Sequence, residues 1–287
     1  MIFGLTAAIA WGLSDLLAAV VGRRIGSFRT LIVAQVTGLV LCLAWWVAAR
    51  PPIGRLDAGA VAALVAAGAL AAAAYVALYR GLELGPVALV SPIVSAYAAG
   101  PVILAVVVLH EHLSALGAGG AATTLAGAVL SCTNPHALRS GQPRARTGIP
   151  HAILAMTGFA IGAFVIAAFA RPLGWFAPVA LSRTAGLVTL AAAPLIVPRL
   201  TAARAGSPPR GALLLAAAVG TLDIGGVAIF ARASQLGLVA LVAAVSATFP
   251  LIPVLGGVAM FGERLARSQV AGVVLVIGGL VLLGITG

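Results

Sequence analysis

Long apolar runs follow one another along almost the whole of this 287-residue chain. A helix needs about 20 mostly apolar residues to cross the hydrocarbon core of a bilayer. Only 8% of the residues are charged, against about 25% in a typical soluble domain. The sequence therefore predicts an all-α integral membrane protein with ten transmembrane helices. The runs span residues 2–21, 29–49, 57–79, 86–109, 114–133, 151–170, 177–197, 211–231, 238–261 and 268–286.

The basic residues of the chain are all arginine, and the formal net charge is +11. They lie singly or in small groups between the apolar runs, without the aromatic-interleaved basic patch of a nucleic-acid interface, so a nucleic-acid partner is excluded. Cys42 and Cys132 lack metal-ligand spacing and are expected to be free thiols. No nucleophile motif, phosphate loop or metal constellation occurs. The sequence therefore predicts no enzyme activity, no cofactor and no metal.

The two halves of the chain repeat each other. A shift of 152 residues aligns 80–113 with 232–265 at 12 identical positions of 34, and a shift of 148 aligns the earlier parts. Apolar composition alone produces Val, Leu and Ala matches, so the paired Arg, Pro and Glu residues carry the evidence. We predict two five-helix repeats, 1–133 and 151–287, joined by a linker at 134–150. The pairs of less common residue types are Trp11/Phe159, Arg23/Arg171, Arg80/Arg232, Gly85/Gly237, Pro101/Pro253 and Glu111/Glu263, and the other identical pairs include Val87/Val239 and Ala88/Ala240.

The odd number of helices in each repeat has a functional consequence. The second repeat must enter the membrane the opposite way round from the first. Inverted repeats place a substrate site near the midplane and let access alternate by rocking of one half against the other. We therefore predict a secondary transporter of small molecules, coupled to protons or working by facilitated exchange. The first run has no basic segment before it and is expected to be a retained span rather than a signal peptide.

Two other classes of function compete with this prediction. The first is a non-transporting membrane subunit that assembles with a partner, for which Gly158 and Gly162, one turn apart, would provide a helix contact. The second is a channel, but the rings of charge or carbonyl-filter motifs of a pore are missing from the sequence. The oligomeric state is left open.

Short motifs in equivalent places indicate a family. Leu109-His110-Glu111-His112-Leu113 and Phe261-Gly262-Glu263-Arg264-Leu265 resemble the "GE-x-L" signature of EamA-type proteins in the drug/metabolite transporter superfamily. Ala10-Trp11-Gly12 and the segments 84–88 and 236–240 also fit. The first copy departs from the signature in having His110 where Gly is usual.

This resemblance implies ten helices around a central cavity lined by the first, third and fourth helices of each repeat. It also implies export or uptake of small metabolites, and we expect an exporter of amino acids or related compounds. The expected location is the cell membrane, as a multi-pass protein of a bacterial inner membrane. The resemblance implies a cytoplasmic N-terminus, whereas the arginine distribution favours the opposite orientation, so the orientation stays open.

Three ionisable residues lie inside predicted spans, where each costs about 2.5–3.5 kcal/mol on insertion scales. They are Asp15, Asp223 and Arg183. The aspartates either bind a proton or a cationic group during transport, or pair with Arg183 and only hold helices together. The repeat equivalent of Arg183 is Gln35, so both halves carry a polar group at the same position. This coincidence favours a position facing the cavity.

Aromatic and hydroxyl side chains supply the remaining candidates for solute binding. Trp11 and Ser14 share one helix face with Asp15, because residues three and four apart are neighbours. Together the candidates predict a cavity suited to a modest, partly apolar solute. The others are Tyr75, Tyr79, Ser91, Tyr97, Phe159 and Thr248.

Prolines and glutamates recur at matching positions of the two repeats. Pro101 and Pro253 each remove a backbone hydrogen bond and are predicted to kink their helices as hinges along the pathway. Glu111 and Glu263 stand at helix ends. We interpret both glutamates as structural, closing the turn into the next helix near its positively polarised N-terminus.

Overall fold

The computed structural model describes residues 1–84, 90, 93–133, 145–196, 208–261 and 266–286, and the regular secondary structure in these ranges is helical. A 3₁₀ turn, Ala96–Ala98, comes before α4. The helices are α1 Ile2–Ile25, α2 Ser27–Ala49, α3 Ala58–Leu84, α4 Ala99–Val108, α5 Ala115–Ser131, α6 Ala145–Leu173, α7 Phe176–Ile196, α8 Arg210–Leu236, α9 Val239–Ser246, α10 Leu251–Phe261 and α11 Arg267–Thr286.

Within the described ranges, eight helical segments are long and apolar enough to cross a membrane. One of them, Val239–Gly256, combines α9 with the start of α10, and two further apolar helices, Ile93–Val108 and Ala115–Ser131, are shorter. Large apolar side chains face outward, as at Leu195, which is 86% exposed. Such a surface is stable in lipid, so the chain is an all-helical, multi-pass membrane protein. The count of ten spans stays a prediction.

The sixth helix begins earlier than the sequence predicted. α6 starts at Ala145, so residues 145–150 of the predicted linker are helical, and residues 134–144 lie outside the described ranges. Pro150 is the sixth residue of this helix. Because Pro150 has no N–H, it removes one intrahelical hydrogen bond, the one to the carbonyl of Arg146, and the helix continues past it.

The predicted kinks are observed as breaks at matching positions. The 3₁₀ turn interrupts the fourth predicted span, and a turn at 247–250 separates α9 from α10. Pro101 and Pro253 are each the third residue of the helix that follows. Each lacks the N–H that would donate to the carbonyl four residues earlier, at Tyr97 and Phe249 respectively. Each break thus lies just before its proline, and an aromatic residue, Tyr97 or Phe249, lies within it.

The two halves pack closely through small residues. The most extensive contacts join α5 to α11, α3 to α6 and α1 to α8. A Cβ atom added at Gly158 would lie 2.8 Å from Cβ of Ala74, and one added at Gly162 would lie 3.5 Å from Cβ of Ala71. Both glycines therefore serve contact between α6 and α3 of this chain. The one-turn spacing of these glycines, which suggested contact with a partner subunit, is explained by contact within this chain.

Candidate functional site

A cavity of about 930 Å³ lies between the two halves. Helices α1, α2 and α3 line it from one half, and α6, α7 and α8 line it from the other. It reaches Ser27 and Phe28, at the end of the bundle where α1 meets α2, which we call the near end. Ser27 is exposed there. A cavity of this volume holds a small organic molecule.

The opposite end of the bundle, the far end, is closed by apolar packing. Ile166, Val179 and Val227 belong both to the cavity wall and to a core cluster beyond it. Trp175 packs against this cluster and lies beside Trp45, with ring centroids 6.2 Å apart and ring planes tilted by 59°. We call this group the far-end cluster, and its buried members are Cys42, Ala170, Phe176, Val179, Ile224 and Ala231.

Arg183 is held by two partners at the centre of the cavity wall. Its Nη2 lies 2.5 Å from Oδ2 of Asp223, and its Nη1 donates a hydrogen bond to Oε1 of Gln35. The Arg183 side chain is 7% exposed and that of Asp223 is 19% exposed. Gly38 makes room for the guanidinium, because a Cβ there would lie 3.2 Å from Cζ of Arg183. This arrangement is an ion pair that joins α7, α8 and α2.

Asp15 differs from Asp223 in having no cationic partner. It lines the cavity and is exposed to it, and no hydrogen bond or ion pair joins it to the part of the chain that the structure describes. It lies within electrostatic range of Asp223. When the three groups are ionised, two carboxylates and one guanidinium leave one negative charge in the cavity, and Asp15 carries it.

Six aromatic rings cross the cavity as a continuous band, the aromatic band. Neighbouring ring centroids along it lie 4.8 to 6.4 Å apart, within the range for favourable aromatic pairs. Two equivalent residues, Tyr97 and Phe249, touch each other in its middle at 5.9 Å. In spatial order the band is Phe230, Trp11, Phe249, Tyr97, Phe159 and Tyr75.

Nine of the twelve candidate residues line this cavity. Thr248 does not belong to its lining: it is buried, and its hydroxyl donates to the carbonyl of Val245 at 2.9 Å. The hydroxyl of Ser14 lines the wall but donates to the carbonyl of Val219 at 3.1 Å, which ties α1 to α8. Ser91 and the side chain of Tyr79 lie outside the described residues. The nine are Trp11, Ser14, Asp15, Gln35, Tyr75, Tyr97, Phe159, Arg183 and Asp223.

One ring of the band, Phe230, was not anticipated from the sequence. Phe230 aligns with Leu78 under the shift of 152, so the repeat gave no aromatic signal for it. It lies seven residues after Asp223, however, and residues seven apart share a helix face. That spacing was the available signal.

Gly226 gives Trp11 its place in the band. A Cβ at this position would lie 2.6 Å from Cδ1 and Nε1 of the Trp11 indole. We expect Gly226→Ala to lower the free energy of unfolding by about 1–3 kcal/mol, because overpacking must shift the ring. The adjacent Gly225 has nothing within 4 Å of its added Cβ, so Gly225→Ala should be neutral or stabilising through helix propensity. Thermal melting of both variants in detergent tests this prediction, and equal melting temperatures would contradict it.

Comparison with known proteins identifies part of the chain directly. Residues 1–133 match the EamA-like transporter family. This segment is the first predicted repeat, and the match confirms the resemblance noted from the sequence. No curated protein matches the chain. One crystal structure covers 99% of this chain and 96% of its own chain, with a TM-score of 0.74 and 18% identity. It is one of 29 solved chains that match, and at that identity it shows a shared fold alone.

The sequence suggested that Glu111, in the EamA-type signature, closes the turn into the next helix. The structure contradicts this interpretation. Both carboxylate oxygens instead accept hydrogen bonds from the N–H groups of Val239 and Ala240, each at 2.9 Å. These are the first residues of α9, in the other half. The next helix, α5, is capped by the hydroxyl of Ser114. Glu111 is thus at a positively polarised helix N-terminus, but of a distant helix.

His110 shows why the EamA-type signature usually has glycine at this position. Its φ is +52°, in the left-handed region that most side chains avoid. The backbone turns here so that Glu111 can point toward α9. Glu263 and its neighbours 262–265 lie outside the described residues.

Arg171 completes a polar connection across the far end. Its Nη2 lies 3.6 Å from Oε1 of Glu111 and donates to the carbonyl of Gly237 at 2.5 Å. Glu111 is buried, with 4% of its side chain exposed, so its charge depends on these partners. We call this group the far-end clamp. Its members are Glu111, Arg171, Gly237, Val239 and Ala240.

Proposed function

We propose that this chain is a secondary transporter that moves small organic solutes across the membrane by alternating access. The observation that carries the proposal is a cavity between the halves that contains an unpaired charge, reaches the near end and is closed at the far end. A binding site near the middle of a helical bundle, sealed on one side, is the arrangement that alternating access requires. Amino acids and related compounds are the solutes expected from the family resemblance.

Contacts between equivalent residues support the inverted repeat with ten spans. Arg183 contacts its equivalent, Gln35, and Tyr97 contacts its equivalent, Phe249. Residues related by a two-fold axis can touch each other only when they lie near that axis. These pairs support an arrangement in which the repeats 1–133 and 151–287 are related by an axis that passes through the cavity.

The residue types of the far-end clamp also occur a second time in the sequence. Each of its members has an identical residue at the equivalent position of the other repeat. In an inverted repeat, equivalent positions lie at opposite ends of the bundle. The chain thus contains the residue types that would close either end. The second set is Arg23, Gly85, Val87, Ala88 and Glu263, of which 85–88 and 263 lie outside the described residues.

Asp15 is the residue to which we assign coupling to protons. It is an exposed carboxylate without a cationic partner among the described residues, so it can be neutralised either by a proton or by a charged group of the solute. If the proton and the solute bind this carboxylate in turn, inward movement of protons down their gradient drives the solute outward. The proposal therefore includes export from a bacterial cell across its inner membrane.

A two-step experiment tests the proposed function. Purified protein in detergent is first screened by thermal shift against amino acids, sugars, nucleosides and organic cations. A ligand at 100 times its dissociation constant should stabilise the fold by about 2.7 kcal/mol. Each stabilising compound is then tested for counterflow, in which labelled compound enters proteoliposomes loaded with the same unlabelled compound. Counterflow supports the proposal, and a compound that binds without counterflow would contradict it.

A further inference from the structure

We propose that the cavity selects a monovalent organic cation with an apolar or aromatic body, and that Asp15 is its counter-ion. This inference rests on the proposed function and adds to it the chemical class of the solute. The first observation is that the two aspartates of the cavity differ in ion pairing. Asp223 is neutralised by Arg183 at 2.5 Å, whereas Asp15 faces the cavity without a partner among the described residues.

Among the described residues, Arg183 is the cationic side chain of the cavity lining, and it is already paired. The Nη1 and Nη2 atoms of Arg183 are engaged by Gln35 and Asp223, and only 7% of the side chain is exposed. The charge of Arg183 is already offset by Asp223, and a solute carboxylate would in addition lie near the charge of Asp15. For a zwitterionic amino acid, the ammonium group therefore favours binding and the carboxylate opposes it. An amine without a carboxylate, or a quaternary ammonium, fits the charge distribution better.

The wall around Asp15 favours an organic cation over a metal ion. Trp11 is one turn away on the same face of α1, and its ring continues into the aromatic band. The faces of aromatic rings attract cations, most strongly organic ones that lose little hydration. Among the described residues no group of three or more His, Cys, Asp or Glu side chains is placed to hold a metal ion. One carboxylate with ring faces is a site for an ammonium group.

Small side chains leave space for the rest of the solute. Six alanines, five of them on α1 and α3 and one on α2, form part of the wall and add apolar surface without filling the cavity. The volume of about 930 Å³ exceeds what a simple alkylammonium ion needs. The solute is therefore expected to have a bulky apolar body. The alanines are Ala18, Ala19, Ala34, Ala67, Ala71 and Ala72.

A matched set of probes tests this inference. Phenethyltrimethylammonium keeps its positive charge at every pH, phenylalanine betaine adds a carboxylate to it, and 3-phenylpropionate has only the carboxylate. Binding to the purified protein in detergent is measured by calorimetry at constant ionic strength. We expect the cation to bind at least tenfold more tightly than the betaine, and the anion not to bind measurably. Equal or tighter binding of the betaine or the anion would overturn the inference.

Two variants complete the test. Asp15→Asn should weaken binding of the cation at least tenfold while its melting temperature without ligand stays within a few degrees of wild type. Asp57→Asn makes the same chemical change outside the cavity, at a position where Asp57 caps α3 and asparagine caps equally well. It should leave the affinity unchanged. Undiminished binding to Asp15→Asn would overturn the role of Asp15.

The inference and the proposed function fail in different ways. A cation that binds through Asp15 but shows no counterflow would contradict the transporter and leave the assignment of the site intact. Counterflow of an anionic or zwitterionic solute, with no binding of the cation, would support the transporter and overturn the inference.

Discussion

Arg183→Met should lower the free energy of unfolding by about 3 kcal/mol, because it leaves the Asp223 carboxylate and the Gln35 amide in the cavity wall without their partner. Methionine keeps an unbranched apolar stem but ends short of the guanidinium position, so the loss combines the missing charge and hydrogen bonds with a packing defect. Asp223 is 19% exposed and can recover some hydration, which sets the expected effect at the lower end for buried pairs. Reversible unfolding in mixed detergent, followed by circular dichroism, measures the change.

The double variant Arg183→Met/Asp223→Asn separates charge from packing. It should recover part of the stability, because the unpaired carboxylate is gone and double-mutant cycles isolate such coupling. Arg232→Met is a control, since Arg232 is exposed and donates a hydrogen bond to Gln235 on its own helix surface. Its effect should be below about 0.5 kcal/mol. Equal losses for Arg183→Met and Arg232→Met would contradict a structural role for the ion pair.

Glu111→Gln should open the far end. The glutamine amide can accept from only one of the N–H groups of Val239 and Ala240, and it loses the ion pair with Arg171. Hydrogen bonds to charged groups contribute about 1.5–3 kcal/mol. A loss of that size from the closed state raises the population open at the far end by tenfold or more, since 1.4 kcal/mol is a factor of ten.

Cys42 is a native reporter for this change. It is buried in the far-end cluster, so a charged thiol reagent reaches it only when that cluster separates. In a Cys132→Ser background, the alkylation rate at Cys42 should rise about tenfold in Glu111→Gln. Ser114→Ala removes the cap of α5, which also lies at this end but does not join the halves. It should leave the rate at Cys42 close to that of the parent, and an equal increase in both variants would indicate general loosening.

Much of the membrane architecture follows from local sequence. The apolar runs predict helices because a helix satisfies its own backbone hydrogen bonds in lipid. Helical spacing placed Trp11, Ser14 and Asp15 on one face, and the structure places all three on the cavity wall. The repeat put Gln35 and Arg183 at one position, and the two side chains contact each other.

The interaction partners of the charged residues could not be predicted from local sequence in the same way. Asp15 and Asp223 were equal candidates for Arg183, and only the packing of α7 beside α8 decides for Asp223. Glu111 reaches α9, 128 residues later in the chain, so its partner is set by how the halves meet rather than by local capping. Thr248 was placed in the site by its residue type, but the break before α10 turns its hydroxyl to a backbone carbonyl and leaves the neighbouring Phe249 in the wall.

Alternating access requires the near and far ends to open in turn, and paired thiol reactivity tests this requirement most directly. Ala19 lines the cavity one turn beyond Asp15 toward the near end and is exposed. Reactivity of Ala19→Cys, in a chain with Cys42→Ala and Cys132→Ser, reports the near end, and Cys42 reports the far end. When Glu111→Gln is added, alternating access predicts that reactivity at Cys42 rises while reactivity at Ala19→Cys falls. A rise at the far end without a fall at the near end would contradict alternating access and indicate a pore open at both ends.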